Sequence, residues 1–162
     1  MNGKNIWGIA CLALLVGCEC APEKTKTIVS NEVIQEEEAP TLAGALADLI
    51  AKAGGDRTFF EFDKSTLTKE GQELLVRVAD WLKAHPERRV LIEGHCDERG
   101  TREYNLGLGE RRASATAEYL IKNGLEPERV KTISYGKDRP IEAVGTREEV
   151  YRMNRVSIIV LE

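Results

Sequence analysis

From Thr58 to the end of the chain, apolar residues switch repeatedly between a period of two and a period near 3.6. That alternation of strand and helix patterns restricts the chain to a small α/β architecture. "TFFEF" sets Phe60 and Phe62 against polar neighbours and predicts a first strand, closed by Asp63-Lys64. Thr68 suits the N-cap of a helix over Lys69–Ala84, with Leu74, Leu75, Val78, Trp81 and Leu82 on one face and His85-Pro86 as its stop. "RRVLIEG" reads as a second strand. A helix with Ala113, Ala117, Leu120 and Ile121 on its buried face follows, ended by Asn123-Gly124. "VKTISYG" predicts a third strand, Thr146 and Glu149 a capping box for a short helix, and "RVSIIVL" a last strand. The expected order is β-α-β-α-β-α-β, an α/β sandwich with a small mixed sheet and its helices on one face.

The N-terminal third follows different rules. "MNGKNIWGIACLALLVGC" carries one charge, Lys4, then an uncharged apolar run of about 11 residues, too short for a spanning helix and the size of a signal-peptide core. It ends in Leu15-Val16-Gly17-Cys18, which resembles the lipobox of bacterial lipoproteins. Residues 1–17 are therefore expected to be a signal peptide and Cys18 the site of lipid attachment, with several acyl chains needed for stable anchoring. Glu19 rather than Asp follows the cysteine, which points to the outer membrane. The polar, acidic composition that follows predicts a tether over residues 18–57, with "TLAGALADLIAKAGG" either a short helix or mobile chain. The globular domain is expected over 58–162. Cys20 is flagged as a thiol in an oxidising compartment, and no structural disulfide is expected.

The densest chemistry lies in "EGHCDERGTREYNLGLGERRA", residues 93–113. A net charge of −4 argues against a nucleic-acid partner. Thiol catalysis by Cys96 is opposed by strand geometry, which puts Cys96 on the core face with Val90 and Ile92, and His95 on the other with Glu93 and Asp97. Metal binding lacks a spaced Cys or His pair; the cluster it could use is Glu93, His95 and Asp97. A third possibility is a clamp for a zwitterion. Asp97 at a strand end and Arg112 in the opening turns of a helix can hold an ammonium and a carboxylate of one ligand. From the residues alone, Asp97 and Arg112 can equally well pair with each other or with nearby charges.

"FEFDK" (60–64), "EGHCDERGTREYN" (93–105), "LGERRA" (108–113), "SYGKDRP" (134–140) and "NR" (154–155) together resemble the OmpA-like peptidoglycan-binding domain family, and within it the peptidoglycan-associated lipoproteins. The resemblance implies non-covalent binding of the meso-diaminopimelate residue of the wall's stem peptide, with no catalysis, cofactor or metal. It assigns Asp97 and Arg112 as the signature pair and Phe62 and Asp63 as pocket residues. Cys96, Leu108, Asn105 and Arg155 are further contributors. It also implies a place in the Tol–Pal system, a TolB-like periplasmic partner, and an outer-membrane anchor through acylated Cys18. One departure is Val156, where the family usually carries a second Arg after Asn-Arg. The rival from another class is a periplasmic wall-modifying enzyme built on a binding fold.

Overall fold

The computed structural model describes residues 41–144 and 146–162. The expectations for the signal peptide, Cys18, Cys20 and the first part of the tether lie outside these residues. The elements run α1 (Leu42–Ala53), β1 (Arg57–Phe59), α2 (Lys69–Ala84), β2 (Val90–His95), α3 (Arg102–Lys122), β3 (Val130–Gly136), α4 (Arg147–Asn154) and β4 (Val156–Leu161). The sheet order is β1-β4-β2-β3, with β2 and β3 parallel and the other two pairs antiparallel. This is the mixed sheet that the alternating pattern predicts, preceded by one more helix.

One face of the sheet is apolar and covered. Val90 and Ile92 of β2 and Ile159 and Leu161 of β4 meet Leu75, Val78, Ala79 and Leu82 of α2 and Ala113, Ala117 and Leu120 of α3. The alternate residues, Leu91, Glu93, Ile158 and Val160, are half-buried on the open face. Cap residues act where their chemistry suggests. The Thr68 hydroxyl accepts the Gly71 N–H at 3.1 Å, Thr101 accepts that of Tyr104 at 3.2 Å, and Thr146 with Glu149 closes the capping box of α4.

Three differences from expectation have physical causes. Residues 41–57 are not tether. Helix α1 buries Ala45, Leu49 and Ala53 in the core, and the Trp81 Nε1–H donates to Asp48 at 2.7 Å. Arg77 caps the helix by donating to the Ala53 carbonyl at 2.7 Å, and Gly54, at φ 87°, ends it. The helix alternative for residues 41–55 is the one observed, and among the described residues 41–57 belong to the folded domain rather than to the tether assigned to 18–57. Second, β1 spans Arg57–Phe59 and turns core-ward Thr58 rather than a phenylalanine; Phe60 is buried beyond its end and Phe62 is 57 % exposed. The pairing ends with the Phe60 N–H donating to the Arg155 carbonyl at 2.8 Å, and Asp63, at φ 57°, lies in the turn that follows.

The third difference lies in α3, which starts at Arg102, so that half of the charged stretch is helical. Gly107 and Gly109 lower helix propensity and hide this from a periodicity reading. Packing needs both Gly94 and Gly109: a Cβ on Gly94 of β2 would lie 2.0 Å from the Gly109 carbonyl oxygen, and one on Gly109 would lie 2.3 Å from the Ser134 hydroxyl. The helix thus rests on the strand backbone to backbone. The core role of α1 carries a prediction. Leu49→Ala should lower the unfolding free energy by about 2–5 kcal/mol in urea denaturation, whereas a helix belonging to the tether would leave it unchanged.

Candidate functional site

The last turn of β2, the loop after it, the N-terminal half of α3 and the β1–α2 loop surround a cavity of about 190 Å³. Its wall includes Phe62, Asp63, Cys96, Asp97, Asn105, Leu108 and Arg112, seven of the eight residues expected from the sequence. Spacing explains the helix contribution, since Asn105, Leu108 and Arg112 repeat on one face of α3. Arg155, the eighth, stands behind the wall. Its Nη1 reaches Asp97 at 3.4 Å and its Nε donates to the Phe60 carbonyl at 3.2 Å. Arg99, Gly100 and Tyr104 also line the cavity and were not anticipated. Tyr104 donates its hydroxyl proton to Asp63. The Arg99 guanidinium lies 4.0 Å from the Phe62 ring centroid and 4.5 Å from that of Tyr151. An Asp-x-Arg beside an exposed aromatic was the available signal for Arg99.

Asp97 and Arg112 do not pair with each other. Asp97 is held by Arg99, through both its backbone N–H and its guanidinium, and by Arg155. Burial pushes the Asp97 carboxyl up, but the hydrogen bonds and charge of Arg99 and the Arg155 contact outweigh it and leave it below its ordinary value. Arg112 is 1 % exposed, and its hydrogen bonds go to neutral groups. It donates to the carbonyls of Lys64 at 2.9 Å, His95 at 2.8 Å and Glu61 at 3.2 Å, and to the Cys96 sulfur at 3.3 Å. Among the described residues no carboxylate forms an ion pair with it. Burial lowers its pKa, yet a guanidinium stays protonated in proteins. The result is a buried cation in the cavity wall, solvated by dipoles and in ion-pair contact with no carboxylate among the described residues.

Cys96 and His95 are structural here. The Cys96 thiol, buried and free, donates to the Asn105 carbonyl at 3.4 Å, and burial pushes its pKa up, opposite to what a thiolate nucleophile needs. His95 was expected to face away from the core beside Glu93 and Asp97. It does lie beside Glu93, its Nε2 3.6 Å from that carboxylate, but it is only 2 % exposed, with Nδ1 on the Arg139 carbonyl at 3.0 Å and its ring 5.5 Å from that of Tyr135. Burial lowers its pKa. Among the described residues no group of three His, Cys, Asp or Glu side chains could hold a metal ion. Val156, where a cation was expected from the family, is fully buried at the start of β4 opposite Phe59. Asn105 spends its amide on the Arg99 and Thr101 carbonyls, at 2.7 and 3.1 Å, and so fixes the loop that carries Arg99.

The OmpA family profile matches residues 59–154, a span that holds β2, β3 and every residue lining the cavity. The chain belongs to the OmpA family. Within that family it is similar to the peptidoglycan-associated lipoprotein of Mesorhizobium japonicum, 40 % identical over 98 % of this chain and 92 % of the relative. That of Brucella melitensis is 47 % identical over 66 % of this chain and 63 % of its own length. In three dimensions the crystal structure of the peptidoglycan-associated lipoprotein from Burkholderia pseudomallei superposes with a TM-score of 0.68. It is 36 % identical and covers 73 % of this chain and 99 % of that one. The C-terminal domain of Helicobacter pylori MotB, at 23 % identity and TM-score 0.59, shares the OmpA-family fold.

The Asp97 pairing sets a pH dependence. Its folded pKa lies below the ordinary Asp value of 3.8, so the unfolded chain binds more protons between the two. The stabilisation is complete above pH 3.8 and is lost as pH falls through the folded value. Urea unfolding of the wild type and Asp97→Asn should show a stability gap that is constant near neutral pH and shrinks on acidification below that point. A gap independent of pH would mean that Asp97 is not held as an ion pair.

Proposed function

We propose that the protein is an outer-membrane lipoprotein, anchored through acylated Cys18, whose periplasmic domain binds diaminopimelate-type peptidoglycan and ties the outer membrane to the wall. The observation that carries this reading is Arg112: a buried cation in a cavity wall, held by neutral acceptors, is a seat for an incoming carboxylate. Two acids, Asp63 and Asp97, stand in the same wall and suit an ammonium. Diaminopimelate ends in both groups on one carbon. Lysine ends in the amine alone, so it would leave Arg112 without a counter-charge. A charge-assisted hydrogen bond contributes about 1.5–3 kcal/mol, and sites with dedicated polar partners reject ligands that lack the group. The similarity to peptidoglycan-associated lipoproteins supports the polymer as the source of that ligand.

Affinity at one site can remain modest. Many stem peptides on a wall and many anchored copies on a membrane give firm attachment by multivalency. A TolB-like periplasmic protein is the proposed protein partner, competing for the exposed rim around Phe62 within a Tol–Pal system that serves envelope integrity and cell division. The wall-modifying enzyme has less support, since the thiol in the cavity is pushed away from its reactive form.

Co-sedimentation with isolated sacculi tests the proposal. The full chain in detergent should pellet with diaminopimelate-type walls and not with lysine-type walls, and Asp97→Ala and Arg112→Ala should both abolish pelleting. Equal pelleting with both walls would remove the role given to Arg112. The anchor is tested separately: Cys18→Ala should lose incorporation of labelled palmitate and appear in the soluble envelope fraction, and retention of label would place the lipid elsewhere.

A further inference from the structure

The Asp97 carboxylate is over-subscribed. Its Oδ2 receives Nε and Nη2 of Arg99 and, at 3.4 Å, Nη1 of Arg155, while Oδ1 receives only the Arg99 backbone N–H at 3.2 Å. One carboxylate oxygen has two lone pairs, so three donors compete for it. The two cations are held very differently. The Arg155 side chain is 8 % exposed, tied to the Phe60 carbonyl, and reaches Glu148 at 3.5 Å on its other side. The Arg99 side chain is 36 % exposed, and apart from Asp97 the contacts holding its guanidinium are the faces of Phe62 and Tyr151. Such ring contacts are weak at exposed sites and have little directionality. Arg155 is fixed; Arg99 can move without leaving a buried donor unpaired.

We propose that Arg99 is an exchangeable internal cation of the site: the amine of the ligand takes its place on Asp97, and Arg99 withdraws over Phe62 and Tyr151. The inference rests on the diaminopimelate reading above and names the residue that sets selectivity for the amine. Exchange of one cation for another keeps Asp97 neutralised throughout, with Arg155 available to close in from 3.4 Å. The ligand then gains only the difference between two similar ion pairs. A ligand with the carboxylates but no amine has nothing to exchange, and it approaches Arg112 with the Asp97 charge still covered.

Removing Arg99 therefore has opposite consequences for the two ligand types. In Arg99→Gln the amine gains a carboxylate that Arg99 no longer covers, and meso-diaminopimelate should bind about tenfold tighter, the lower end for a charge-assisted hydrogen bond. Pimelate, the same seven-carbon diacid without amines, should bind more weakly, because it meets an uncovered negative charge. Arg99→Lys, which keeps the cation, should stay near wild type for both. Calorimetric titration of the full chain in detergent, with unchanged melting temperatures as the check on folding, reads all three. A merely structural role would move both ligands in one direction. Unchanged or weaker diaminopimelate binding by Arg99→Gln, with wild-type binding intact, overturns the exchange and makes Arg99 a positioning residue. Failure of the wild type to bind diaminopimelate removes the parent reading, and the exchange with it.

Discussion

Backbone contact between Gly94 and Gly109 is the constraint on which the rest of the molecule depends. A Cβ at Gly94 would overlap the Gly109 carbonyl at 2.0 Å, and one at Gly109 would meet the Ser134 hydroxyl at 2.3 Å. At this crossing α3 sits as close to β2 and β3 as main chains allow. That proximity lets Ser134 donate to the Leu106 carbonyl at 2.7 Å and lets Arg112, one turn further on, reach past the strand end to the His95 carbonyl. Larger residues would lift the helix and withdraw Asn105, Leu108 and Arg112 from the cavity together. The cost in helix propensity, about 1 kcal/mol per glycine, is offset by a site whose depth is set by backbone rather than by side chains.

Arg112 then works in two directions. Its carbonyl acceptors belong to the β1–α2 loop and to the end of β2, so one side chain from α3 binds two separate segments around the cavity. Carbonyl dipoles can solvate a buried guanidinium without neutralising it, and the site keeps a positive charge that an acid partner would have cancelled. The same economy explains why Asp97 is paired from behind by Arg155 and from the rim by Arg99. The cavity thereby holds separated charges of both signs without collapsing into one internal ion pair, which answers the ambiguity that the residues alone left open.

The sequence carried most of the fold, because the elements with a clean apolar period, α2, β2 and β4, are those whose stability comes from one buried face. It failed where tertiary contact overrides local preference. Gly107 and Gly109 concealed the first turns of α3. The spacing of Leu42, Leu46, Leu49 and Ile50 left a helix open at α1, but the burial of Leu49 depends on α2 being present and was not legible. For the site, motif residues converged on one cavity, but their hydrogen-bond partners were not legible. Nothing in the chain order says that Arg112 seeks the carbonyls of Lys64 and Glu61, or that Arg155 reaches Asp97 across 58 positions. Arg99 was missed for the converse reason: its role arises from ring faces contributed by the β1–α2 loop and α4, two elements distant in sequence.

The wall of the cavity divides by what holds each member. Arg112, Asn105 and Cys96, with Arg155 behind them, are buried and tied to main-chain carbonyls, so their positions are set by the sheet and α3. Asp63, Tyr104, Arg99 and Phe62 form the other part, on a turn with a left-handed residue and on exposed side chains that contact one another. A floor of this kind selects by charge placement, because it cannot adapt without breaking backbone hydrogen bonds. A rim of this kind can rearrange at the cost of a cation–π contact or one exposed hydrogen bond. Recognition of a small charged group by the floor and accommodation of whatever it is attached to by the rim follow from that division, and a ligand carried on a large, variable polymer requires both.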